Sequence, residues 1–296
     1  MKILSFGSLN VDKVYSVDHF VRDGETISSI RMEEFCGGKG LNQSLAAARA
    51  GGNVYHAGCV GAADGGMLLD VLSGSGVDIS MVRQLSGPSG HAIIQVNKNG
   101  QNCILLHGGA NQQITTGQID ETLALFQAGD MLVLQNEISN LHYLVEAAGK
   151  KGMTIVLNPS PMTNEILTLP LQYVSYFLLN EVEARDLCGE EIPEEECPAE
   201  LLRRYPGSHV LMTLGSRGCI YQDAQQRISH PAYRVKAVDT TAAGDTFTGF
   251  FVAAIAAGSD VKTALEQATK AAAISVSRKG AAPSIPTREE MLAFSV

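Results

Sequence analysis

The chain has 296 residues, 22 of them Lys or Arg and 31 Asp or Glu, for a formal charge of -9. With 45% hydrophobic and 18% charged residues it is too apolar for a disordered chain, and the lack of a basic excess argues against a nucleic-acid partner. Six scattered cysteines without a CxxC pair, and seven histidines with no two close together, offer no zinc-type ligand spacing. They point instead to free thiols in a reducing cytoplasm.

In chain order, Ile3-Leu4-Ser5-Phe6-Gly7 opens a series of apolar runs with helical stretches between them. The series continues at residues 54–60, 131–134, 154–157, 176–179 and 209–213. Near-continuous apolar runs fit parallel strands covered on both faces, so one doubly wound α/β domain over 1–296 is expected. Residues 11–35 and 90–106 break the rhythm with alternating patterns, and Asn97-Lys98-Asn99-Gly100 supplies turn chemistry for a hairpin. These two stretches predict a small antiparallel sheet beside the main one, placed as a lid. No apolar run reaches membrane-spanning length, and no h-region opens the sequence.

Five motifs carry chemistry. Val238-Asp239-Thr240-Thr241-Ala242-Ala243-Gly244-Asp245 leads into an apolar stripe at Phe247, Phe250, Phe251 and Ala254, which predicts a helix starting at the small residues. Its unpaired N–H groups would attract an anion, phosphate above all. Asp245 in the first turn would then reach anything held there; by itself such an acid can also do no more than complement the helix dipole. Gly37-Gly38-Lys39-Gly40-Leu41-Asn42-Gln43 is a second glycine turn before a helix, and it matches neither the Walker A nor the GxGxxG pattern. Gly7-Ser8-Leu9-Asn10-Val11-Asp12, read as the end of the first strand, sets an amide and a carboxylate on one face for a vicinal diol. Asn180-Glu181-Val182-Glu183 follows an apolar strand, where helix capping and ligand binding are both open. Thr213-Leu214-Gly215-Ser216-Arg217-Gly218 reads as a strand-turn-strand able to shelter a nucleotide base.

In this order the five motifs resemble the ribokinase (PfkB) family of carbohydrate kinases, over nearly the whole chain as far as Lys279-Gly280-Ala281-Ala282-Pro283-Ser284. The resemblance implies an α/β/α sandwich with a β-sheet lid that transfers the γ-phosphoryl group of ATP to a sugar hydroxymethyl group, foremost the 5-hydroxyl of D-ribose. Deoxyribose, a ketohexose, a nucleoside, or a non-catalytic sugar-binding role on the same fold stand as alternatives. It implies Asp245 as base, with Ala242, Ala243 and Gly244 as the anion hole. Asn10, Asp12, Gly38, Lys39, Asn42 and Glu137 would line the sugar site. Asn180, Thr213, Gly215, Ser216, Arg217, Gly218, Gly244 and Thr269 would surround the nucleotide. Asn180 and Glu183 would organise Mg²⁺ through water, and Asp239, Thr241, Ser275, Arg278, Gly280 and Ser284 an activating K⁺. It also implies a homodimer through the lid. Two positions depart from the family pattern: Thr269, where His or Asn is usual, and His107-Gly108-Gly109-Ala110-Asn111, where HAGAN is usual.

Overall fold

The computed structural model describes residues 1–295. β1 (Ile3–Phe6) passes through Gly7-Ser8-Leu9 into β2 (Asn10–Ser16), and β3 (Arg31–Gly37) returns beside it before α1 (Lys39–Arg49). β4 (Val54–Gly61), α2 (Gly66–Ser73) and β5 (Asp78–Leu85) precede the hairpin of β6 (Gly90–Val96) and β7 (Asn102–His107). The alternation then continues through α3 (Thr116–Leu123), β8 (Met131–Gln135), α4 (Leu141–Lys151), β9 (Thr154–Asn158), β10 (Val174–Asn180), α5 (Glu181–Cys188), α6 (Cys197–Arg204) and β11 (His209–Thr213). A second hairpin, β12 (Cys219–Gln222) and β13 (Arg227–His230), leads to α7 (Ala243–Ala256), α8 (Val261–Val276) and α9 (Arg288–Ala293).

Nine strands form the main sheet in the order β13-β12-β11-β10-β9-β8-β1-β4-β5. It is parallel from β11 to β5, and β12 and β13 close the far edge as an antiparallel pair. β1, β8 and the middle of β9 are buried on both faces, which explains their unbroken apolar runs. One core layer joins the sheet to α1, α7 and α8 through Leu41, Leu45, Phe250, Phe251 and Leu265. The other joins the opposite face to α3–α6 through Ile119, Leu144, Leu187 and Leu201. Each fully buried Phe or Leu contributes on the order of 2 kcal/mol to holding the three layers together. The architecture is the doubly wound α/β sheet that the strand spacing predicts, covered on both faces as the α/β/α sandwich that the resemblance implies.

The small sheet has the order β3-β2-β6-β7. Its outer pairs are antiparallel, whereas the central pair, β2 and β6, runs parallel. β6 follows β2 only after a long excursion through β5, and such a connection permits the parallel direction that a tight turn forbids. A second difference concerns Asn10 and Asp12. The first strand stops at Phe6, and both residues belong to β2, the inner lid strand next to β6. The chain turns at Gly7-Ser8 because the backbone of Gly40 packs there: a Cβ on Gly40 would stand 2.4 Å from the Ser8 nitrogen. No helix among the described residues is long and apolar enough to cross a membrane. All six cysteines are free thiols.

Candidate active site

Gln135, Asn158, Asn180 and Thr213 end β8, β9, β10 and β11, at the edge where open α/β sheets expose their strand termini. A cavity of about 440 Å³ opens there, walled by Lys39, Asn158, Asn180, Glu183, Gly244 and Asp245. A second, more apolar cavity of about 620 Å³ lies beside it, under Tyr233, Val235, Ala272 and Val276. Both are lined by Thr213, Gly215, Thr240, Gly244 and Phe247, so the two spaces are continuous across the head of α7.

Asp245 reaches the first cavity because α7 packs closely on α1. Gly249 makes that approach possible, since a Cβ there would fall 2.4 Å from the Ala46 Cβ. The packing sets Asp245 against Asn42 and Gln43, some two hundred residues earlier in the chain. Asn42 Nδ2 donates to Asp245 Oδ2 at 3.0 Å, and Gln43 Nε2 donates to Oδ1 at 2.9 Å. The carboxylate, 8% exposed, is thus gripped at both oxygens.

The head of α7 has the geometry for binding an anion. Ala242 takes the left-handed conformation, φ 59°, and caps the helix. Ala243 N–H folds back to the Thr240 carbonyl at 3.3 Å. The N–H groups of Ala242, Gly244 and Asp245 make no hydrogen bond among the described residues, and they carry the positive end of the helix dipole.

The residues expected to line the sugar site converge. Gly37 ends β3 opposite Asn10, and a Cβ there would overlap the Asp12 carboxylate at 2.0 Å. The adjacent glycines therefore make room for the protein's own side chain and for the Ser8–Asn10 backbone. Glu137 accepts from Lys39 N at 3.1 Å and from the Ser8 hydroxyl, which fixes it beside the start of α1. Burial, and secondarily the Glu137 charge, push the Asp12 carboxyl up to about 7. Glu137 is raised as well, by burial above all, although Ser8 and Lys39 oppose the shift. For Lys39 burial is the largest single influence and would lower it. Asp245, Glu137 and Glu183 together outweigh burial and hold the ammonium above its ordinary value.

The second cavity is lined by Thr213, Gly215, Ser216 and Gly218, from the β11-turn-β12 segment, and by Thr269 on α8. Thr269 is 6% exposed, and its hydroxyl donates to the Leu265 carbonyl at 2.7 Å. Arg217 is arranged differently from the expectation: its guanidinium bridges Glu181 and Glu194, each at 2.7 Å. A long flexible side chain on a turn is captured by the nearest carboxylates, here one on α5 and one in the Glu194–Glu196 run.

Asn180 and Glu183 form a full capping box at α5: Glu183 N donates to Asn180 Oδ1 at 2.9 Å, and Asn180 N to Glu183 Oε2 at 3.0 Å. Capping and cavity lining are thus performed by the same pair. Glu183 Oε1 has no hydrogen-bond partner among the described residues. Asp239 ties two loops together, accepting from Thr241 N and Gly280 N, each at 2.9 Å. Ser275 and Ser284 meet hydroxyl to hydroxyl at 2.8 Å nearby in sequence and are fully buried. Arg278, in the same loop, pairs its guanidinium with Glu290 at 2.7 Å, which leaves its backbone carbonyl as the group expected to serve a cation.

Three residues that shape the site were not singled out from the sequence. Gln43 is the last residue of the quoted glycine motif, and Gln135 precedes Glu137 by two positions. Asn111 closes the His107–Asn111 segment and donates to Asn10 Oδ1 at 2.7 Å.

The sequence profile described as pfkB family carbohydrate kinase matches residues 1–288. The chain belongs to the pfkB family. As a pfkB-family carbohydrate kinase it is 35% identical over 298 residues to a ribokinase from Haemophilus influenzae, covering 97% of this chain and 96% of that one. It is 31% identical to a deoxyribokinase from Salmonella typhi, over 98% of this chain and 97% of the other. A solved Arabidopsis thaliana ribokinase, complexed with ribose and ATP, superimposes with a TM-score of 0.86 at 29% identity, covering 99% of both chains.

Proposed function

We propose that this pfkB-family kinase transfers the γ-phosphoryl group of ATP to the 5-hydroxyl of D-ribose, with Asp245 as general base. The observation that carries the reading is the placement of Asp245 in the 440 Å³ cavity, beside unpaired N–H groups at the head of α7. The sugar hydroxyl gives its proton to Asp245 as its oxygen bonds to the γ-phosphorus. The bond from phosphorus to the β,γ-bridging oxygen breaks, and ADP leaves with the electron pair. The N–H groups of Gly244 and its neighbours stabilise the charge on the phosphoryl oxygens during transfer. The Lys39 ammonium adds a positive charge in the same cavity.

The oxygens at Asn180 and Glu183 suit a hard divalent cation such as Mg²⁺, and the free Glu183 Oε1 would hold it, largely through water. Such an ion supplies charge neutralisation for the phosphates. The loops joined by Asp239 suit K⁺, held mainly by backbone carbonyls, with the Asp239 carboxyl kept below its ordinary value: burial would raise it, and the Thr241 hydroxyl, the N–H groups of Thr241 and Gly280 and the Lys279 charge more than reverse that. An exposed apolar edge on the lid, with Ile104, Leu105 and Leu106 each at least 49% exposed on β7, supports pairing with the lid of a second copy. Six free thiols accord with residence in the cytoplasm.

Likeness to ribokinases, one of them solved with ribose and ATP, supports ribose as acceptor, and likeness to a deoxyribokinase makes 2-deoxyribose the second reading. A coupled ADP-release assay over ribose, 2-deoxyribose, fructose and adenosine tests the choice, with the phosphorylated carbon read by NMR. The highest kcat/KM is expected for ribose, with phosphate on carbon 5. A higher value for any other acceptor overturns the assignment.

A further inference from the structure

The Asp245 carboxylate is attached through a broad, two-fold side-chain torsion, so the α7 backbone alone does not fix the direction of its lone pairs. Asn42 holds Oδ2 but also belongs to the wall expected to meet the sugar. Gln43 is 2% exposed, is not among the residues expected to meet the sugar, and grips Oδ1 at 2.9 Å. Its own carbonyl accepts from Gln135 Nε2 at 2.7 Å, and Gln135 is fully buried at the end of β8.

The polarity of this chain of amides follows from its end. An ionised carboxylate only accepts, so Gln43 must turn its NH₂ toward Asp245 and its carbonyl toward Gln135. Gln135 must then donate, and its own carbonyl is left buried without a partner. Leaving a buried hydrogen bond unmade destabilises the fold, because the group has given up water for nothing. Packing alone gives no reason to accept that cost. Room for the unpaired oxygen comes from Gly7, where a Cβ would stand 2.3 Å from it.

The geometry points to Gln43, backed by Gln135, as the positioning residue that sets the orientation of the Asp245 carboxylate toward the acceptor hydroxyl. This role rests on Asp245 being the base. Gln43 acts through Asp245, and Gln135 acts through Gln43.

The test compares the intact enzyme with Gln43→Met, Gln135→Met, the double variant and Asp245→Asn, methionine preserving side-chain volume while removing the amide. Because misplacement of a reacting group by about 1 Å costs on the order of 10²-fold, Gln43→Met is expected to lower kcat roughly 10- to 100-fold. The sugar KM and the calorimetric sugar Kd are expected to stay within about threefold of the parent, as a loss confined to the transition state requires. Gln135→Met should lower kcat less, and the double variant should be no slower than Gln43→Met. Parent-like kcat in Gln43→Met, or single losses that multiply in the double variant, overturns the positioning role while Asp245→Asn remains inactive. Near-parent turnover in Asp245→Asn overturns the base assignment instead, and the positioning role with it. Should Gln43→Met not fold, as judged by its urea transition, Gln135→Met decides: unchanged kcat overturns the role, and a lowered kcat at constant KM supports it.

Discussion

Asn111 holds Asn10 in a single orientation. Its Nδ2 donates to Asn10 Oδ1 at 2.7 Å, while its own carbonyl accepts from Leu9 N at 3.0 Å. With its carbonyl occupied, Asn10 has its NH₂ group free to donate to an acceptor hydroxyl. Asn111→Asp reverses this polarity, because a carboxylate cannot donate to Asn10. Losing one well-placed donor costs roughly 1–1.5 kcal/mol, so the sugar KM is expected to rise about tenfold, with the ATP KM unchanged. Steady-state kinetics in both substrates check it, and an equal rise in both KM values would count against it.

Asp12 makes native stability depend on pH. Its carboxyl lies at about 7 in the fold against 3.8 ordinarily, so between these values the native state holds a proton that the unfolded chain has released. Its contribution is fully present below 3.8 and is lost as pH rises through about 7. Asp12→Asn removes the titration. The urea midpoint of the variant relative to the parent should therefore rise from pH 4 to pH 8; a constant difference would show that Asp12 does not carry the effect.

Asp245→Asn removes the proton acceptor but keeps an oxygen for Asn42 or Gln43. A fall in kcat of roughly 10² to 10⁴ is expected, the usual contribution of a general base. Sugar binding, measured by calorimetry, should survive within a few-fold.

The loops joined by Asp239 are expected to make activity depend on a small monovalent cation. Rates in KCl should exceed those in tetramethylammonium chloride at equal ionic strength. Equal rates would remove the ion from the reading.

The lid edge gives a prediction about assembly. Leu105, 67% exposed on β7, is replaced by Glu without disturbing any core contact. Sedimentation should show a dimer for the parent and a monomer for Leu105→Glu; a monomeric parent would discard lid pairing.

Much of the scaffold is legible in the sequence because burial on both faces writes itself as unbroken apolar runs, as in Met131–Leu134 and Thr154–Leu157. The head of α7 is legible for a similar reason, since small residues before an aromatic stripe announce both the helix start and its open amides. The boundary between β1 and β2 is not. The turn at Gly7-Ser8 is imposed by the backbone of Gly40, a contact more than thirty residues away that no local pattern records. The parallel pairing of β2 with β6 is non-local in the same way. Gln43, Gln135 and Asn111 escape because a neutral amide is ordinary by composition, and its importance lies in what stands opposite. Arg217 shows the reverse: its position matches a motif, yet its reach lets Glu194 claim it.

β2 is at once one of the two inner strands of the lid and the carrier of Asn10 and Asp12. Any rotation of the small sheet about Gly7-Ser8-Leu9 therefore displaces those two side chains together with it. An acceptor that bridges them to Asn42 on α1 would act as a latch between the moving part and the body. Under the proposed reaction, such a latch would couple closure over the nucleotide to the presence of the acceptor, and so discourage idle cleavage of ATP by water.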